Sequence, residues 1–150
     1  MALKGNTSDV HFDYDGSLAS ARQLWSLAQD ARSVDSGRHS AGTDGLANFR
    51  GSYADQFISR LSDEDASGSR IAYGLQADAN ACAVLWKKAM DEQNRRSYAR
   101  HVEKLKSDRS GWEKTVDFFN GYDAPAAPDG VRTPVPPSFA PTATPVKYPS

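Results

Sequence analysis

The residue types that carry most protein chemistry are thinly spread through these 150 residues. The three histidines, His11, His39 and His101, fall in separate segments, and the single cysteine, Cys82, has no second thiol for a disulfide or a zinc site. Solvated surface histidines and a thiol packed as a small hydrophobe are therefore expected. Asp63, Glu64 and Asp65 are consecutive, and on a helix three consecutive carboxylates point in different directions, which suits solvation and not chelation of a cation. Lys87, Lys88, Arg95, Arg96, Arg100, Lys104, Lys106 and Arg109 form a run basic enough to raise the question of phosphate neutralisation. Asp91, Glu92, Glu103 and Asp108 interrupt that run and the whole chain carries a net charge of −1, so a salt-bridged, solvated face is expected and nucleic acid is not expected as a partner. No glycine-rich phosphate loop occurs. These residues imply no catalytic site, no cofactor and no metal.

One short motif points elsewhere. Phe12-Asp13-Tyr14-Asp15-Gly16-Ser17-Leu18 resembles the opening motif of haloacid-dehalogenase-type phosphatases. By that resemblance Asp13 would attack phosphate and Asp15 would serve as acid and base, with magnesium between them. That fold requires a buried apolar strand before the motif and alternating strands and helices after it. Here Gly-Asn-Thr-Ser-Asp-Val-His precedes it and no β-branched run follows. The expected role of the acids is to cap a helix, from Asp13, Asp15 or Ser17.

Helices are the elements that would position these side chains, and the expected class is all-α. All eight prolines fall between Pro125 and Pro149, which leaves one foldable unit over residues 10–121, a flexible start over 1–9 and a Pro-rich tail over 122–150 expected to be extended and disordered. Leu18, Ala21, Leu24, Trp25, Leu27, Ala28, Ala31 and Val34 recur at helical spacing and make a broad apolar stripe, wide enough for two neighbours. Residues 36–52, dense in Gly, Ser and Asp, are expected to break that helix and form a bend. Ser52 and Asp55 then make a start resembling a capping box. Tyr53, Phe57 and Leu61 step by four along a second helix, and Ile71, Leu75, Ala79, Cys82, Trp86 and Ala89 continue the stripe. Gly68 marks an expected bend or soft spot, not a clean break. The stripe turns polar at Gln93 and Asn94 and resumes at Tyr98, Val102 and Leu105, carrying the helix to about Lys106. The second helix is then much longer than the first, and its excess must bend back, meet a third helix or meet a partner. Ser110-Gly111-Trp112-Glu113 is a capping box for a short third helix with Trp112, Val116 and Phe119 on one face, stopped at Asn120-Gly121. No signal-type apolar segment and no run of 18 apolar residues occurs.

The order helix, glycine-bearing bend, aromatic-x-Gly, helix resembles the WXG-type (Esx-like) superfamily of small helical hairpins exported by type VII secretion systems. Phe49, Arg50 and Gly51 at the bend carry the likeness, with Tyr53, Phe57 and Arg60 beyond it. FRGSYADQFISR, LQADANACAVLWKKAMDEQN and RRSYARHVEKL look like an actinobacterial branch associated with secreted polymorphic toxins. The likeness spans about residues 10–121; Phe49 stands where the name motif has Trp. The resemblance implies an antiparallel hairpin that pairs with another hairpin, as a homo- or heterodimer, into a four-helix bundle, or that binds a toxin. It implies a cytoplasmic protein that is then secreted, and the Y-x-x-x-[D/E] export signal, absent here, would lie on the partner. The residues expected to meet that partner are Leu24, Trp25, Leu27, Ala31, Tyr53, Phe57, Leu75, Cys82 and Trp86. A freestanding structural or regulatory coiled coil is the alternative, with the Asp-nucleophile phosphatase a distant one.

Overall fold

The computed structural model describes residues 7–121 and 123–148, and the side chains of the last helix only at 111, 113, 114, 116 and 117. Three helices follow one another: α1 (Tyr14–Leu46), α2 (Ser52–Ser107) and α3 (Gly111–Asn120), with no strand among the described residues. Asp13 caps α1 by accepting the Gly16 N–H on Oδ1 at 2.9 Å. A Cβ at Gly16 would lie 2.1 Å from the Asp13 carboxylate, so a glycine is needed for this cap to close. The acidic motif is thus the first turn of a helix, with Asp15 near its positive end.

α1 and α2 pack antiparallel. Contacts across the seam pair early α1 with late α2: the Ser17 hydroxyl donates to the Cys82 carbonyl at 3.2 Å, and the Tyr14 hydroxyl donates to the Ala89 carbonyl at 3.2 Å. Arg38 meets Glu64 and His39 meets Asp65 further toward the bend. Much of the seam is alanine: Ala21, Ala28, Ala72, Ala79 and Ala83 are all buried, which lets the two backbones approach closely. Larger side chains gather only at the stem, where Leu18, Trp86 and Met90 join the core.

Two expectations about the helices are corrected. Residues 36–46 continue α1, and the connection shrinks to 47–51. Each glycine in a helix costs about 1 kcal/mol, but Gly42 receives Leu61 closely, where a Cβ would lie 2.8 Å from Leu61 Cδ2, and the Arg38 and His39 pairs add cross-seam contacts. At Gly68 α2 runs on without a break, as expected, and the Asp35 carboxylate crosses the backbone there, 2.5 Å from where a Cβ would stand. The cap of α2 is Gly51, at φ 97°, with no side-chain cap bond, and Ser52 is already helical. Glycine alone takes that backbone without strain. Ser110 caps α3 through a reciprocal pair with Glu113, while Trp112 and Phe119, expected on one face with Val116, lie outside the described side chains.

The 56 residues of α2 span about 84 Å and the 33 of α1 about 50 Å. The surplus length is covered by two extended segments. Thr7, Ser8 and Asp9, expected to be flexible, are held by Arg100 and Arg96, and the Val10 N–H donates to Gln93 Oε1 at 2.7 Å. The Pro-rich tail is corrected more sharply: without helix or strand, it folds back on the stem, and Val131 and Phe139 are buried in the same cluster as Trp86. Burial of those side chains, together with backbone bonds to α1 and α2 side chains, overrides the disorder that proline content suggests.

Gly74 sits mid-helix with nothing within 4 Å of a built Cβ, whereas Gly42 is crowded by Leu61. Gly74→Ala should stabilise the chain by about 1 kcal/mol. Gly42→Ala should give less than that or destabilise, since Leu61 must shift; urea unfolding followed by helical circular dichroism distinguishes the two.

Candidate protein-docking surfaces

The line of buried alanines divides the hairpin into two flanks. On α1, Leu24, Leu27, Ala31 and Val34 lie to one side of Ala21 and Ala28 by helical spacing, and Trp25 and Arg32 lie to the other. On α2, Ile71, Leu75, Cys82 and Leu85 form the stripe that faces the first of these sets. Two contacts tie the stripes together: Ser17, seven residues before Leu24, bonds to Cys82, and Arg38, four after Val34, pairs with Glu64, seven before Ile71. On the opposite flank Arg32 lies over the Tyr73 ring and Trp25 meets the tail.

The first flank is open and apolar. Leu27 is 53% exposed, Val34 61%, Ile71 61% and Leu85 55%, with Leu24, Ala31, Leu75 and Cys82 half-buried between them. Antiparallel register sets Leu24 beside Cys82, Ala31 beside Leu75 and Val34 beside Ile71, so the apolar groups form successive rows across both helices. The stripe continues toward the bend through Phe57 and Tyr53, both exposed. Phe49 is half exposed and borders a cleft of about 290 Å³ with Gly42, Leu46 and Phe57, and Arg50 beside it is exposed.

The second flank is covered by the chain itself. Trp86, expected to meet a partner, is 1% exposed, and Trp25 stacks edge-on against Phe139 with ring centroids 6.1 Å apart. Phe139 is fully buried, and the Arg22 guanidinium donates to the Ser138 carbonyl at 2.5 Å and the Phe139 carbonyl at 3.3 Å. The Val131 N–H donates to Asp91 Oδ1 at 2.8 Å, and the Val146 N–H to Asn94 Oδ1 at 2.8 Å. Tyr98 donates to the Pro125 carbonyl at 2.7 Å, and Tyr148 stacks on His101 at 4.4 Å. Sequence reasoning missed Arg22, Asp91 and Phe139. The visible signal was the polar pair Gln93 and Asn94 inside an apolar stripe.

Electrostatics concentrate at this stem. Burial works against the Asp91 carboxylate, but Lys87 and the Val131 N–H outweigh it and hold it below the usual range. Arg95 and then Arg96 bring Glu92 down to about 2. Hydrogen bonds from Gln93 and Arg100 lower Asp9. Among the described residues no group of three or more His, Cys, Asp or Glu side chains could hold a metal ion, and no helix is long and apolar enough to cross a membrane. Comparison of the chain with protein-family models, with curated proteins and with solved structures gives no match.

Trp86→Ala should cost about 3–5 kcal/mol, as expected for emptying a fully buried tryptophan site, in a denaturant titration. The tail should also respond to acid. A carboxylate with a lowered folded value contributes stability that is present above the ordinary value of about 4 and lost as pH falls through the lowered one. Hydrogen exchange at the Val131 amide, corrected for its intrinsic pH dependence, should therefore speed up below about pH 4 as Asp91 protonates, and Asp91→Asn should flatten that dependence.

Proposed function

We propose that this chain is a non-enzymatic helical adaptor that presents the open flank of its hairpin to another protein. The carrying observation is the contiguous apolar face of Leu24, Leu27, Ala31 and Val34 on α1 and Ile71, Leu75, Cys82 and Leu85 on α2, with its four largest exposures above half. Scattered apolar residues are ordinary on protein surfaces, but aligned rows across two helices match what a second helical pair buries in a four-helix bundle. The order of elements and the Phe49-Arg50-Gly51 bend extend this reading to a WXG-type export partner of a type VII secretion system. In that reading the protein pairs with another hairpin or a secreted toxin in the cytoplasm before passing out of the cell. The capping role of Asp13 supports adaptor over phosphatase, because its carboxylate is engaged by the Gly16 N–H.

A photo-crosslinking residue placed at Leu27, Val34 or Ile71 in the native host should trap a helical partner or a second copy. Absence of any adduct from all three positions would overturn the docking reading. Leu27→Asp with Ile71→Lys should abolish the adduct formed from Val34 while changing unfolding free energy by no more than about 0.5 kcal/mol per site, since both side chains are exposed. Export is tested separately: the chain should appear in culture supernatant only when the secretion ATPase is intact.

A further inference from the structure

We infer that the second flank of the hairpin is a peptide-binding groove for an extended, proline-rich segment with a phenylalanine anchor, and that residues 131–146 are its resident, displaceable ligand. The groove lies on the side opposite the open apolar face and does not depend on what that face binds.

Three features separate a bound peptide from an ordinary part of the core. The first is how the tail is held. It forms no strand, and the fixed points are side chains of the hairpin reading its main chain: Arg22 on the carbonyls of Ser138 and Phe139, Asp91 on the Val131 N–H, Asn94 on the Val146 N–H. Unpaired backbone groups of an extended segment need such partners when they leave water, and a groove that supplies them takes a chain by its backbone. The second is the spacing of anchors. Val131, Pro134 and Phe139 are buried, while Arg132, Val135, Pro137, Ser138 and Ala140 between and beside them are exposed. Phe139 occupies the deepest position, against Trp25, with φ of 41° following the turn closed by its N–H on the Val135 carbonyl at 3.0 Å. Prolines restrict the unbound segment and so lower the entropy lost on docking.

The third feature is Asn94. It is the one polar residue buried among the described residues, at 3% exposure, and its Oδ1 is satisfied by the tail. A permanent helix neighbour would leave that amide to be satisfied within a dry seam; a groove that is open to water when empty carries no such penalty. Asp91 has the same logic, because its carboxylate is also paired by Lys87, four residues earlier on the same helix.

Fluorescence anisotropy with a labelled synthetic peptide spanning residues 125–148 tests the groove on the full chain. The wild type should bind it weakly, because its own tail competes at high effective concentration. Full-length Phe139→Ala should bind it at least about tenfold more tightly, and a peptide carrying the same substitution should not bind. Adding Arg22→Ala to that chain should remove the binding. A Phe139→Ala chain that keeps its helical signal yet binds the peptide no better than wild type overturns the inference. Should Phe139→Ala lose its helical signal, Arg22→Ala decides by hydrogen exchange: tail amides should exchange faster while α1 and α2 stay protected. Tail and helices exchanging together would mean that the tail is part of the fold and not a ligand, and would also overturn the inference.

Discussion

A helix with no helical neighbour over its last turns must still bury its apolar face, and much of this molecule follows from how α2 meets that requirement. Beyond about Ala89 there is no more α1 to pack against. Two extended segments take its place, one from each side in sequence, and extended segments without a ladder carry N–H groups that need acceptors. Gln93, Asp91 and Asn94 supply those acceptors to Val10, Val131 and Val146. The polar break in the α2 stripe is the physical counterpart of a change of neighbour from helix to extended chain.

The seam between α1 and α2 is built on alanine, and alanine buries little area. Toward the bend the hairpin therefore rests on close backbone approach at Gly42 and Gly68 and on the exposed or partly exposed pairs of Arg38 and His39. Such pairs contribute about 0–1 kcal/mol each. At the stem, by contrast, Trp86, Met90, Leu18 and Phe139 form one cluster. Stability is unevenly distributed along the rod, with the anchor at one end and a thinner half carrying Val34, Ile71, Tyr53 and Phe57 in the open.

The hairpin was legible because apolar residues at three- and four-residue spacing leave few alternatives to an amphipathic helix. The extent of α1 was not: residues 36–46 carry glycine and serine that read as a break, and it is cross-seam contacts, Leu61 against Gly42 and the pairs of Arg38 and His39, that favour helix there. Leu24, Leu27, Ala31, Leu75 and Cys82 were readable as a stripe, and they share the open flank. Trp25 and Trp86 fit the same spacing, yet Trp25 turned to the other flank and Trp86 into the seam, because periodicity is silent about which side an aperiodic segment will cover. Nothing in the tail repeats, so three buried residues in a run of prolines gave no periodic signal.

The bonds from Arg22 to the backbone of Ser138 and Phe139 join residues 116 and 117 positions apart, whereas the pairs nearest the bend join residues 26 apart. Contacts between distant parts of a chain carry a larger loop-closure cost and form later than local ones. On a ribosome the bend can zip while the stem still waits for residue 139 to emerge. During synthesis Trp25 thus goes without its Phe139 neighbour until the last, at the end that becomes the most tightly packed.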